Sequence, residues 1–154
     1  MDLRFLIIFI PLILGFLSSI SMIKNDWKPW YNKLNKPSWN PPSWLFAPVW
    51  SFLYLLMGIS SYLILISNKK QEKILALLLF YIQLFLNIIW SPIFFGLKNP
   101  KHAFIIIVIL WFLILITIVL FMRISVIAGL LLVPYFLWVS YATTLNGYIM
   151  NKNK

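Results

Sequence analysis

The chain has 154 residues, of which 62% are apolar and only 10% are charged, and its net charge is +10 at pH 7. An ordinary soluble domain has about 45–50% apolar and about 25% charged residues, so this composition excludes a soluble protein. Every charged residue lies at a chain end or between long uncharged stretches, which indicates that those stretches cross a membrane.

A hydrocarbon core about 30 Å thick is crossed by roughly 20 apolar residues of α-helix. By this criterion the sequence predicts five spans, at residues 5–23, 44–67, 74–97, 103–122 and 124–150. Transmembrane β-strands would alternate polar and apolar residues, whereas Ile74 to Phe85 is almost continuously apolar. The predicted fold is therefore an all-α membrane protein, a five-helix transmembrane bundle that forms one domain over residues 1–154.

The first predicted span has to be distinguished from a secretory signal peptide. A signal peptide has a basic start, a short apolar run and a small-residue cleavage site. Here Asp2 interrupts the basic start, the apolar run is long, and no convincing small-x-small cleavage site precedes Lys24. We therefore expect this segment to be retained as a span.

One predicted connection, residues 24–43, is much longer than the others. Long connections in compact proteins are usually functional or disordered. Rigid aromatic side chains and backbone-restricting prolines argue against disorder here; they are Trp27, Trp30, Tyr31, Trp39, Trp44, Pro29, Pro37, Pro41 and Pro42. The segment is predicted to be a packed lid, and a belt of Trp and Tyr at headgroup level is the alternative.

In the later spans, helical spacing brings polar and aromatic residues onto shared faces. Polar groups are costly in lipid and usually turn inward, where they line a cavity or bond helix to helix, and both alternatives stay open here. The three faces are Trp50, Tyr54 and Met57; Gln83, Asn87 and either Trp90 or Ser91; and Trp138, Ala142 and Leu145.

Besides Pro48 near the start of the second span, three prolines lie within the spans, and each removes a backbone donor and frees the carbonyl four residues earlier. They are Pro11, Pro92 and Pro134. We expect kinks at Pro92 and Pro134, although proline is also common in membrane helices without special purpose.

No Asp, Glu, Lys, Arg or Cys lies within a predicted span, and the single histidine, His102, lies at the start of one. This excludes a carboxylate acid/base pair, a nucleophile triad and a multi-histidine metal site within the membrane. It also argues against ion-coupled transport, which usually needs ionisable groups there. No metal or cofactor is expected, and an interior cavity would be aromatic and nearly neutral, as suits a flat, hydrophobic, conjugated ligand.

The basic residues are divided between the two membrane faces, five on the side of the N-terminus and eight on the other. This favours a cytoplasmic C-terminus. Because the charges form no single patch, they indicate topology and attraction to anionic headgroups rather than nucleic-acid binding.

Several motifs resemble those of one known family. They are KPSWNPPSW at 36–44 with APVW at 47–50, NIIWSPIFFG at 87–96, and PYFLWVSYATTLN at 134–146. In order and spacing they are similar to the TspO/MBR family, the translocator or peripheral-type benzodiazepine receptor proteins, and the resemblance covers essentially the whole chain.

The resemblance implies a cavity among the helices, below the first loop, that binds protoporphyrin IX and related tetrapyrroles, and isoquinoline carboxamide or benzodiazepine drugs. Bacterial members are credited with light-dependent oxidative breakdown of protoporphyrin. Trp50 and Trp138 match the family's pocket tryptophans and are the candidates for electron exchange. The predicted binding residues are Trp30, Tyr31, Pro41, Phe46, Trp50, Tyr54, Gln83, Asn87, Trp90, Ser91, Trp138, Ala142 and Leu145.

The resemblance also implies a homodimer, and Thr143 with Gly147 forms a small-xxx-small pair that permits close helix contact within or between subunits. Leu145, Tyr148 and Lys152 fit a loose sterol-binding pattern, which is weak evidence. The expected location is the plasma membrane of a bacterium, whereas other family members lie in the mitochondrial outer membrane. Transport of lipophilic ligands and sensing without catalysis are the alternatives to enzymatic breakdown.

Overall fold

The computed structural model describes residues 3–24 and 26–153. Asn25 of the predicted lid, and Lys154, which enters the orientation count, lie outside these residues. The α-helices are α1 (Ile10–Lys24), α2 (Trp27–Lys33), α3 (Phe46–Leu65), α4 (Lys70–Ser91), α5 (Pro100–Ile124), α6 (Val126–Leu131) and α7 (Val133–Lys152). Short 3-10 helices at Leu3–Phe9 and Ser43–Leu45 precede α1 and α3, and a π-helix, Pro92–Gly96, continues α4.

Within the described residues, five helical segments are long and apolar enough to cross a membrane: Leu3–Ile20, Ser43–Leu65, Glu72–Gly96, Pro100–Ile124 and Val126–Lys152. The prediction of an all-α protein with five transmembrane helices is thereby confirmed. The observed helices extend past several predicted ends, as where α4 begins at Lys70 rather than at Ile74. Helical hydrogen bonding continues through charged residues at headgroup level, so a boundary drawn at the nearest charge is approximate.

The helix type or the continuity of the helix changes at or near Pro11, Pro92 and Pro134, each of which lacks a backbone N–H donor. The 3-10 helix gives way to α1 just before Pro11, and the π-helix begins at Pro92. The last span is interrupted at Leu132, two residues before Pro134, so that α6 and α7 replace one continuous helix. The carbonyl of Ile88, which Pro92 cannot bond, accepts a hydrogen bond of 2.6 Å from Ser18 Oγ. This bond joins α1 to α4 just before the π-helix begins.

The bundle is organised around α5, which packs against α4, α6 and α7, while α3 packs against α1 and α6. Large apolar side chains meet in the interior, as where Phe80 stacks on Phe121 with ring centroids 5.6 Å apart. Equally apolar side chains such as Phe112 and Leu137 point outward and are 56% and 62% exposed. In a membrane these outer positions contact lipid, which is why both faces of the helices are apolar.

Small residues permit the closest helix contacts. A Cβ added at Gly58 of α3 would lie only 1.9 Å from the backbone oxygen of Ile8. A Cβ at Gly147 would lie 3.0 Å from the Phe104 ring, which belongs to α5 of the same chain. One member of the predicted small-xxx-small pair therefore serves packing within the subunit.

Candidate ligand-binding cavity

A cavity of about 790 Å³ lies between α1, α3 and α4, under the first loop. Its size is within the range of about 300–1,000 Å³ that small-molecule sites occupy. The wall is mostly apolar and aromatic, and none of its described residues is charged. It consists of Leu12, Ile13, Gly15, Phe16, Ser18, Ser19, Trp27, Tyr31, Ser43, Phe46, Ala47, Trp50, Ser51, Tyr54, Asn87, Trp90, Ser91 and Phe95.

Trp50 is the central aromatic residue of this wall. Its ring stacks on Tyr54 with centroids 5.3 Å apart and planes 28° apart. On another side it meets Tyr135 edge-to-face at 6.2 Å. Since Tyr54 and Tyr135 are buried, the indole is held between fixed rings while it contributes to the cavity surface.

Two hydrogen bonds fix the buried polar groups behind Trp50. The Tyr54 hydroxyl donates to Asn87 Oδ1 over 2.6 Å, and the Tyr135 hydroxyl donates to Gln83 Oε1 over 2.7 Å. In a low-dielectric interior such bonds are strong, and breaking one leaves a costly unpaired group. The amide of Asn87 is therefore held in place at the cavity wall.

The cavity is closed on the loop side by α2. Trp27 packs edge-to-face on Phe95 at 4.9 Å, and Tyr31 lies 5.6 Å from the same ring. The Tyr31 hydroxyl donates to Asn40 Oδ1 over 3.0 Å. Burial raises the pKa of this hydroxyl, with a smaller opposing effect from the bond to Asn40, so Tyr31 is a neutral donor at physiological pH.

The rest of the loop is attached to α7. The Tyr141 hydroxyl donates to the Trp39 carbonyl over 2.6 Å, and the Trp39 ring packs edge-to-face on Tyr141 and Tyr148. Asn153 Oδ1 accepts from the backbone N–H of Asn35 over 2.9 Å, and its Nδ2 donates to the Asn35 carbonyl over 3.2 Å. We call Tyr141 and Asn153 the latch residues. The loop is thus a packed cover over the bundle.

Trp44 differs from the other tryptophans of this segment. Its side chain is 71% exposed at the start of the second span. That position fits an aromatic belt at headgroup level, whereas Trp27, Trp30 and Trp39 pack against other rings.

Removing a latch residue is expected to loosen the loop without unfolding the bundle. Asn153→Ala should raise amide hydrogen exchange at residues 34–40 by about fivefold, which corresponds to ~1 kcal/mol for a lost hydrogen bond. Mass spectrometry of the exchanged protein in detergent measures this. Asn151→Ala, at an exposed position two residues earlier on α7, is the matched control, and equal exchange in both variants would contradict the latch.

The structure brings seven of the predicted binding residues together on the cavity: Tyr31, Phe46, Trp50, Tyr54, Asn87, Trp90 and Ser91. Ala142 and Leu145 instead line a neighbouring hollow of about 20 Å³, whose wall shares Tyr31, Phe46, Trp90 and Phe95 with the main cavity. These shared aromatic side chains form a common wall of the two spaces.

Four predicted residues line neither space. Trp30 packs on Phe94, and Pro41 is buried in the loop. Gln83 lies behind Tyr135, and its Nε2 is buried without a hydrogen-bond partner among the described residues. Trp138 lies behind Phe46, with ring centroids 6.0 Å apart, and its Nε1 also lacks a partner within the described chain.

Sequence reasoning missed the contribution of α1, which provides six lining residues from Leu12 to Ser19. The available indication was the cluster of small or polar residues Gly15, Ser18 and Ser19 in an otherwise bulky apolar span. Trp27, Ser43, Ala47, Ser51 and Phe95 were also missed. Residues adjacent to them in sequence were predicted, but which side chains of a segment face the cavity depends on how the helices pack.

His102 is exposed, and its backbone N–H donates to the Asn99 side chain that caps α5. No group of three or more His, Cys, Asp or Glu residues is close enough to hold a metal ion in the described part of the chain. His102 is thus an exposed residue at the start of the span Pro100–Ile124.

Comparison with known proteins identifies the family. The sequence profile of the TspO/MBR family matches residues 7–151. The chain is 47% identical over 125 residues to the tryptophan-rich protein TspO of Chlorobaculum tepidum, which covers 80% of this chain and 79% of that protein. It is 35% identical over 133 residues to the tryptophan-rich sensory protein of Cereibacter sphaeroides, with coverages of 86% and 81%.

A mammalian relative is similar over an even longer stretch. The translocator protein of Sus scrofa is 37% identical over 147 residues, which is 94% of this chain and 86% of the relative. Since the profile match, residues 7–151, reaches all five membrane-spanning helices, the chain belongs to the TspO/MBR family and is a multi-pass membrane protein.

Proposed function

We propose that the cavity binds a flat, hydrophobic, conjugated pigment of the tetrapyrrole class, protoporphyrin IX, and that the protein promotes its light-dependent oxidative degradation. The observation that carries the proposal is the position of Trp50. Its indole lies on an uncharged aromatic cavity of about 790 Å³ and stacks on Tyr54. A bound pigment would meet this ring directly.

Affinity in such a site would come from ring stacking and burial of apolar area. The amide of Asn87, held by Tyr54, would orient the ligand. Because no described lining residue is charged, the carboxylates of the pigment would remain toward the headgroups, where charge is tolerated.

Trp50 would exchange an electron with the excited pigment at direct contact. Trp138 would act over a longer path, since Phe46 lies between it and the cavity. Net oxidation of the pigment needs an external electron acceptor, and we propose dioxygen. No protein acid, base or metal takes part in this scheme.

The test is the purified protein reconstituted in lipid vesicles with protoporphyrin IX, followed by absorbance in light and in dark, with and without dioxygen. We expect a shifted absorbance on binding and its loss only in light with dioxygen present. Binding without protein-dependent loss would contradict the degradation activity, and no binding would contradict the whole proposal.

The names of two relatives favour two other possibilities, a sensor that binds a ligand without turnover and a transporter. One is called a sensory protein and another a translocator protein. A sensor would bind the pigment, or an isoquinoline carboxamide or benzodiazepine competitor, with neither turnover nor flux. A transporter would move pigment across the vesicle membrane, so measuring transbilayer flux in the same vesicles distinguishes the three functions.

A further inference from the structure

The cavity meets the protein surface between α1 and α3. Ile13 and Phe16 of α1 line it and are 55% and 67% exposed. Ser43, Ala47 and Ser51, at and near the start of α3, line it and are exposed as well. The lining residues of α2 and α4 are buried or half-buried. The exposed part of the wall is therefore confined to these two neighbouring spans.

This opening faces the bilayer. Ile13 and Phe16 lie within the span Leu3–Ile20, and the exposed residues of α3 lie within the span Ser43–Leu65. The first span ends and the second begins at the connecting loop, so the opening lies in the half of the bilayer nearest the loop. At such depths an exposed side chain contacts lipid rather than water.

Water is a poor occupant for this space, because a buried water needs several polar partners. The hydroxyls of Ser19 and Ser51 already donate to carbonyls of their own helices, Phe16 and Ala47. The rest of the wall is mainly hydrocarbon and aromatic ring. Dense packing of protein interiors argues equally against a large empty space. A hydrocarbon chain satisfies both requirements.

We infer that, without a pigment, the hydrocarbon chain of a membrane lipid from the loop-side leaflet fills the cavity through the gap between α1 and α3. A ligand dissolved in the bilayer enters by the same opening and displaces the chain. The displacement rests on the proposed function, whereas the lipid occupancy stands without it. The uncharged lining fits the chain of a neutral or zwitterionic lipid.

Photolabelling tests the occupancy. The full chain is reconstituted in phosphatidylcholine vesicles containing a small fraction of phosphatidylcholine with a diazirine on its acyl chain, which releases nitrogen on illumination and inserts into a neighbouring bond. Labelled residues are located by mass spectrometry. Tyr54, only 8% exposed on the cavity wall, should be labelled, together with the outward-facing Phe112. Phe80, fully buried away from the cavity, should remain unlabelled.

A variant that blocks the opening provides the control. Ser51→Trp puts a large side chain at the exposed rim and should abolish the Tyr54 label while the Phe112 label remains. Phe52→Trp, at the next position and also exposed but not on the cavity, should retain both labels. Absence of the Tyr54 label in the unmodified protein, or its persistence in Ser51→Trp, would overturn the inference.

Protoporphyrin IX added before brief illumination under argon separates the two proposals. Loss of the Tyr54 label supports a shared opening and cavity. If pigment absorbance shows binding but Tyr54 remains labelled, the inference of lipid occupancy is still supported. The proposed pigment site and the shared route of entry between α1 and α3 are then both contradicted.

Discussion

Trp50→Phe should slow the light-dependent loss of protoporphyrin absorbance by about tenfold, equivalent to ~1.4 kcal/mol on the barrier. Phenylalanine keeps an aromatic surface for stacking, but its ring is much harder to oxidise than indole. Pigment binding should therefore change little while degradation slows. Absorbance titration in the dark measures the first quantity, and illumination of the saturated complex measures the second.

Substitutions of two other tryptophans serve as comparisons for Trp50→Phe. Trp138→Phe should also slow degradation, but less than Trp50→Phe does, because Phe46 lies between Trp138 and the cavity. Trp44→Phe should leave the rate unchanged, since this 71% exposed residue does not line the cavity. If Trp50→Phe binds the pigment and degrades it at the unmodified rate, the tryptophan mechanism is wrong.

Gly58→Ala should reduce the free energy of unfolding by about 3 kcal/mol, near the upper end of the usual cost of overpacking. The added methyl would meet the backbone oxygen of Ile8, and backbone cannot rotate away as a side chain can. The segment Leu3–Phe9 would have to move off α3. Thermal unfolding in detergent, followed by far-ultraviolet circular dichroism, measures the loss.

Gly147→Ala is the matched control in α7. Its added methyl would approach only the edge of the Phe104 ring, at 3.0 Å, and that side chain can shift by a few tenths of an ångström. We expect a clearly smaller loss of stability. Equal midpoints for Gly58→Ala and the unmodified protein would show that the segment Leu3–Phe9 does not pack on α3 as described.

The same contact has a consequence for the cavity. Leu3–Phe9 continues directly into α1, which supplies a third of the described lining residues. Displacement of Leu3–Phe9 that carries α1 with it would move one wall of the cavity. Gly58→Ala protein that still folds should therefore bind protoporphyrin more weakly, a result that dark titration detects.

Several features could be predicted because they depend on short stretches of sequence. The spans follow from the energetic cost of placing charge in hydrocarbon, which each stretch of about 20 residues expresses by itself. The interruptions near Pro92 and Pro134 follow from a missing N–H, a property of single residues. The inward position of Asn87 follows from the cost of an unpaired amide in lipid.

Other features were decided only by the tertiary structure, because they depend on which helices become neighbours. Gln83 and Asn87 share a helix face, yet Asn87 meets the cavity while Gln83 bonds Tyr135 behind it. In the same way Trp138 lies behind Phe46, and Ala142 faces a separate small hollow.

The sequence by itself determined the number of spans, the uncharged interior and the aromatic character of the loop, since hydropathy and charge act locally. The tertiary packing of α1, α3 and α4 decided that a cavity lies between them, beside Trp50. In a membrane protein both the lipid-facing and the inward-facing sides of a helix are apolar, so periodicity alone cannot distinguish them. Only the contacts between helices determine which side chains line the cavity.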